Sequence, residues 1–434
     1  MRGIIRRIAT VRLVKLVLAL PLLATVGLAP QVLAEEPLHH VSSETCMLCH
    51  KEVYKQWKGS MHAKSNALTD PIHATFYKSE IGDPTMEGAK MKNGNFPVCL
   101  NCHAPNAARD GKTKLDALPA YAEGVNCVAC HTLKNFKGVK GPDGKLRLGI
   151  KAYDLADAIQ APAGAGSELA KLKGGGDELF GGALDAGEKK PNPHLGEAVE
   201  LEGKLIPALS MEQNAKQMKS NDACMGCHDQ RPNPKGVALC ATGDEYIASG
   251  SKVDCISCHM PIAGGVADHG MGGGHDPAML KRSVLMLLNT KQAGDKIQAE
   301  ISMENKQPHI LPTGAPFRNM FLRVTAYDAK GEVVWQNAKG HPMKEDPQAY
   351  FHYVMHDDEG KPAMPPVATK PGPDSRLKPF ETRSLSYEIP AAGVALVRAE
   401  LFYNLLWPGL VERFKHLPKD LTAPVSMAAA EVKF

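Results

Sequence analysis

Aromatic residues make up only 6% of this 434-residue chain. After residue 34 no apolar run is long enough to cross a bilayer, which excludes a polytopic membrane protein. Net charge is also nearly absent. The formal +4 falls to −1 once residues 1–34, with five basic and no acidic side chains, are set aside. Neither a basic stripe nor interleaved aromatics remain, so nothing points to nucleic acid as a partner. Cysteine is missing altogether from residue 281 onward, although the chain holds eleven.

What is present begins with a leader. Arg2, Arg6, Arg7, Arg12 and Lys15 precede the apolar run LVLALPLLATVGLA, which ends near VLA. That is the pattern of a Sec-type signal peptide, with cleavage expected after Ala34. The run is short for a spanning helix and contains Pro21. The mature protein is therefore expected in the periplasm, outside the cell or on its surface, with no membrane span.

In an exported chain, eleven cysteines would ordinarily suggest disulfides. Ten of them instead form five copies of one pattern: CMLCH (46–50), CLNCH (99–103), CVACH (127–131), CMGCH (224–228) and CISCH (255–259). A bare CxxC suits a redox dithiol or half a zinc site. A histidine after every copy does not, because those sites leave it without a purpose. C-x-x-C-H is the attachment signature of c-type haem. Two thiols a helical turn apart add to the two vinyl groups of one porphyrin, and the next residue offers its imidazole to the iron. Five covalent haems c are expected. Their thioethers come from Cys46 and Cys49, Cys99 and Cys102, Cys127 and Cys130, Cys224 and Cys227, and Cys255 and Cys258. His50, His103, His131, His228 and His259 are the proximal ligands. Cys240 is left over and is read as a structural cysteine.

Two textures follow along the chain. Residues 35–280 carry every motif and read as mainly helical or irregular. The second and third motifs are 28 residues apart and the fourth and fifth 31 apart, with echoing flanks (EGVNCVACHT, SKVDCISCHMP). This suggests a lone haem followed by two di-haem modules. The segment PAGAGSELAKLKGGGDELFGGALDAGEKKPNP between the modules reads as loop with short helices, and GPDGKLRLG as a hairpin. From 281 to 434, SVLMLLN, IQAEISM, FLRVTAYDAKGEVVWQ, SLSYEIP and VRAELFYNLL read as strands. Ile297, Ala299, Ile301 and Met303 alternate with polar residues, the period of a half-buried sheet. An all-β, sandwich-like domain is expected there, with AKG (329–331) as a hairpin turn and PGLVERFKHL as a short helix. With so many haems on so short a chain, the porphyrins themselves must supply much of the first region's core.

Each low-spin haem needs a second axial ligand, and twelve histidines lie outside the motifs. His62 lies on a helix after the first motif. His269 and His275 sit on the track ADHGMGGGHDPAML, where glycine gives clearance beside a porphyrin. His309 ends a strand in QPHILPTG. These four are the expected distal ligands, with His73 or Met218 for the fifth iron. His194 ranks behind them, and His39, His40, His341, His352, His356 and His416 are assigned to loops or solvent.

CMLCHKEVYKQWKGSMHA resembles the opening of multihaem cytochromes c of the cytochrome c-554-like group. EGVNCVACHT, CISCHMP, GGHDPAML and HILPTGAPFRNMFLRV are also similar to segments of that family. The resemblance covers about residues 44–335. It implies stacked, bis-ligated haems, an electron-transfer role, and ligands at His62, His275 and His309. Met218 stands where the family often carries histidine, which points to a His/Met haem.

The function expected is electron transfer between a membrane or periplasmic donor, such as a quinol-linked protein, and a terminal reductase or extracellular acceptor. Two rivals remain. One is an enzyme acting on a small nitrogen or sulfur compound at a five-coordinate haem. The lysine that often replaces the proximal histidine in pentahaem nitrite reductases is absent from all five motifs here. The other rival is a homo-oligomeric subunit of an extracellular cytochrome filament. The carrier is favoured over the enzyme.

Overall fold

A computed structural model describes residues 36–165, 192–233, 235–263 and 266–434. The expected leader lies outside the described residues, as does most of the Gly-, Ala- and Lys-rich segment between the third and fourth motifs.

From residue 37 to about 282 the described chain is built of short pieces. Its longest helix is Pro71–Glu80, ten residues, started by Asp70, whose side chain accepts the amide of Ile72. The attachment motifs are themselves helical turns: Leu100–His103, Cys127–His131, Asp222–His228 and Cys255–His259, with Ser43–Met47 carrying Cys46. Two of these turns start on the residue ahead of the first cysteine. Asn126 accepts the amide of Ala129 and Asp254 that of Ser257, each cap contributing about 1 kcal/mol. The recurring N/D-C-x-x-C-H therefore sets the turn as well as the chemistry. Buried side chains here fall into separate clusters, around Tyr77, Leu100 and Leu115, around Val128, Ile159 and Ile206, and around Leu133, Ala152 and Tyr153. GPDGKLRLG forms the expected hairpin. Lys140 bridges Leu146, and Gly144 turns the chain at φ +74°, a conformation that favours glycine.

The remainder is a pair of antiparallel sheets. The first orders β1 (Val284–Ala293), β2 (Lys296–Asn305) and β6 (Thr382–Pro390) as β1-β2-β6. The second joins β3 (Asn319–Tyr327), β4 (Val333–Gln336), β7 (Leu396–Asn404) and β8 (Val425–Lys433) in the order β4-β3-β7-β8, with β5 (Tyr350–Phe351) also on β3. Register is set by the alternation read in the sequence: Ile301 lies opposite Leu288 and Leu385, and Leu322 opposite Leu401. Inward residues of both sheets form one continuous core. The turn at Asp328–Gly331 joins β3 to β4, as AKG predicts. Sequence reading missed β8, since VSMAAAEVK is poor in β-formers, and the hairpin Tyr353–His356 with Lys370–Asp374.

The two regions differ in texture but share packing. The short helix Pro408–Arg413, expected from PGLVERFKHL, places Leu410 with Leu406 and Phe414 against Ile72 and Phe76 of the first region. Residues 37–434 form one compact unit. Among the described residues no helix is long and apolar enough to cross a membrane.

Candidate haem and axial-ligand sites

A histidine ligates iron through one ring nitrogen while the other is fixed by a hydrogen bond. That arrangement recurs here. His131 Nδ1 lies 2.9 Å from the carbonyl of Gln160, His103 Nδ1 2.8 Å from that of Ser65, and His259 Nδ1 2.6 Å from that of Gly272. Outside the motifs, His194 Nδ1 meets Leu209 O at 2.9 Å, His269 Nδ1 meets Ala267 O at 2.7 Å, and His309 Nδ1 meets Ile310 O at 3.0 Å. In each case Nε2 is the ring nitrogen that would remain for a metal.

Three of the motif histidines have a second imidazole nearby. Ring centroids are 6.1 Å apart for His50 and His194, 6.4 Å for His131 and His269, and 6.0 Å for His228 and His62. Two imidazole–metal bonds of about 2 Å each, plus the ring radius on either side, add up to that spacing. The residues present therefore fit an iron porphyrin between each pair. Burial is the largest cause that lowers the pKa of His50, His62, His131, His228 and His269. It pulls His50 and His62 down to about 4 and His228 to about 3, with neighbouring imidazoles adding to it.

His309 is near His259, which lowers its pKa after burial and its own backbone contact have acted. His275 has different surroundings. Burial and then Arg318 and Lys64 hold it at about 4. His73 stands beside His103 rather than across from it. Their centroids are 4.1 Å apart, too close to admit a porphyrin, and both rings turn Nδ1 to the carbonyl of Ser65. Met218 ends the short helix Ala215–Met218, just ahead of the fourth motif. His194, ranked low in the sequence, faces His50. It sits on the turn Pro193–Leu195, started by Asn192, and nothing in NPHLG signals a ligand except the histidine itself.

The glycine track has a partly different explanation from porphyrin clearance. The carbonyl of Gly272 orients His259, and a β-carbon on Gly274 would run into the Tyr403 hydroxyl and the Arg318 guanidinium. The track is thin where the β region presses on it.

The motifs also meet one another. The side chains of Cys46 and Cys127, of Cys102 and Cys227, and of Cys224 and Cys255 lie beside one another. Motif one thus abuts three, and four abuts both two and five. Cys130 also lies close enough to act on Cys224 and Cys227. Haems attached at these cysteines would lie in one branched array. Tyr153 anchors the central motif. Its hydroxyl donates to the carbonyls of Asp222 and Ala223 and accepts the amide of Gly226, where any side chain would collide with the tyrosine ring. Arg231 reaches both Cys102 Sγ and the carbonyl of Cys227, bridging the second and fourth motifs.

The family model for cytochrome c554 and c-prime matches residues 45–132. A solved structure, a penta-heme cytochrome c552 from Thermochromatium tepidum, is 63% identical to this chain. The match covers 92% of this chain and 100% of that one, with a TM-score of 0.85. The chain belongs to the cytochrome c554 family. It is a pentahaem c-type cytochrome with five covalent haems. A DUF1425 family member from Shewanella sp. pv-4 aligns over 28% of the cytochrome and 74% of its own chain, at 17% identity and a TM-score of 0.14, too weak to bear on the fold. No curated protein matches. The helical and irregular region followed by antiparallel sheets, expected from the sequence, is the architecture of this cytochrome.

Proposed function

We propose that this cytochrome is an exported electron carrier that passes electrons through its five haems between a periplasmic or membrane-bound donor and a terminal reductase or extracellular acceptor. The observation that carries this reading is the set of facing imidazoles at 6.0–6.4 Å, because iron held between two strong nitrogen donors changes oxidation state without opening a coordination position. The second ligands in this assignment are His194 for the iron on His50, His269 for His131, His62 for His228, and His309 for His259. His275, flanked by Arg318 and Lys64, is left out of the set. The meeting motifs support exchange within one array rather than at isolated centres. Potentiometric titration of the holoprotein tests this. Five electrons per chain should be taken up and returned reversibly, and fewer than five would overturn it.

One observation favours a second reading. His73 lies only 4.1 Å from His103, too close to ligate across a porphyrin, so this assignment gives the iron on His103 no second imidazole. Such a haem suits reaction with a small nitrogen compound. A ferric high-spin signal perturbed by nitrite or hydroxylamine would favour that reading, and an unperturbed spectrum would remove it.

A further inference from the structure

His39 and His40 have no part in the axial-ligand set, and the sequence offers no motif around them. In the folded chain they occupy a three-residue 3-10 turn, Leu38–His40, against the end of the helix Pro105–Arg109. Asp110 closes that helix and divides its carboxylate between them. His39 Nε2 lies 2.8 Å from Oδ1 and His40 Nε2 lies 2.7 Å from Oδ2. The Tyr121 hydroxyl donates to Oδ2 as well. The two rings are 4.5 Å apart and inclined at 69°, so they converge on the carboxylate rather than stack. One ligating atom from each of His39, His40 and Asp110 lies within 4.8 Å of the other two.

We infer that His39, His40 and Asp110 form a binding site for one divalent transition ion of the zinc class, separate from the haem irons, with Tyr121 positioning the carboxylate. Two imidazoles and one carboxylate, without sulfur, suit Zn²⁺, Ni²⁺ or Cu²⁺. Calcium and magnesium prefer an all-oxygen shell that this corner does not offer. Burial favours the neutral Asp110 carboxyl, but hydrogen bonds from Tyr121, His39 and His40 outweigh it and hold the group down to about 2. Burial likewise keeps His39 below its ordinary value. Binding needs only a tautomer change, in which each imidazole proton moves from Nε2 to Nδ1 and frees Nε2 for the ion. Water would fill the remaining position.

The ion would pin the chain ahead of the first haem motif to the segment between the second and third. That junction is already tied, since Ser42 Oγ and the Ser43 amide both bond the Glu123 carboxylate.

The test uses the haem-loaded cytochrome, washed with a chelator and then titrated with zinc chloride. Calorimetry gives stoichiometry and affinity, and zinc-edge X-ray absorption, which haem iron does not mask, gives the ligands. One zinc per chain with two imidazole neighbours is the expected result, abolished in His40→Gln while the haem spectrum stays native. Tyr121→Phe should keep the stoichiometry and weaken binding roughly ten- to a hundred-fold. Should His40→Gln fail to mature, Asp110→Asn decides on the same readouts. The inference is overturned if the native protein takes up no more zinc than these variants, if uptake survives both, or if the edge spectrum lacks the two imidazoles.

Discussion

The two halves of this chain build a core in opposite ways. Between β1 and β8 the interior is made of the protein's own side chains: Ile301, Met303, Met320, Leu322, Val324 and Leu401 are all fully buried in one continuous cluster. Between residues 37 and 282 the apolar interior is broken into patches, and side-chain amides fill in. Asn66 reaches the carbonyls of Tyr121 and Ala122, Asn106 meets Asn126, and Gln160 meets Asn214. Such amides fix backbone turns but contribute little hydrophobic stabilisation. The porphyrins are the missing apolar mass, which is why so aromatic-poor a sequence can still fold. One region specifies its structure by hydrophobic alternation, the other by where it attaches its haems.

The sharpest way to break this contrast is to withhold the haems. Chain produced without haem attachment should lose amide protection throughout residues 37–282 while β2, β3 and β7 keep theirs, as read by hydrogen exchange. Equal protection in both regions would refute the division. The converse is a cavity in the β core. Leu322→Ala should cost about 2–5 kcal/mol of stability and leave the haem absorption spectrum unchanged, measured by denaturant unfolding followed through both signals. A smaller effect is expected from the cap of the third motif. Asn126→Ala removes the acceptor for the Ala129 amide and should destabilise by about 1–2 kcal/mol, with all five haems still attached by mass spectrometry.

The smallest effect is a pH dependence in the β region. His341 is held below its ordinary value of 6.5, by burial first and then by Arg323. Its Nε2 is buried without a partner. As pH falls below 6.5 the unfolded chain takes up that proton before the folded one does, so stability should decline on acidification. His341→Gln should flatten that decline in thermal unfolding between neutral pH and pH 5, and an unaltered slope would remove His341 as its cause.

Much of this contrast was legible from residue types alone. CxxCH fixes the attachment chemistry because spacing and chemistry are the same fact, and the alternation of Ile297 to Met303 names the buried face of β2. The distal ligands were harder to read, because a second ligand has no local spacing rule. It is defined by what lies across a porphyrin, which depends on how distant segments pack. His194 and His73 show this most clearly. One sits on a glycine-flanked turn yet lies near His50, while the other sits on a well-formed helix yet stands too close to His103 to ligate across a porphyrin. β8 was hidden for a related reason: its alanines gain strand structure only by pairing with β7.

The pairing of imidazoles across the iron on His50 is tested most directly by electron paramagnetic resonance of the ferric protein, native and His194→Ala. The account predicts that the variant keeps five attached haems and converts one low-spin centre, the iron on His50, to high spin. An identical spectrum in the two proteins would contradict it.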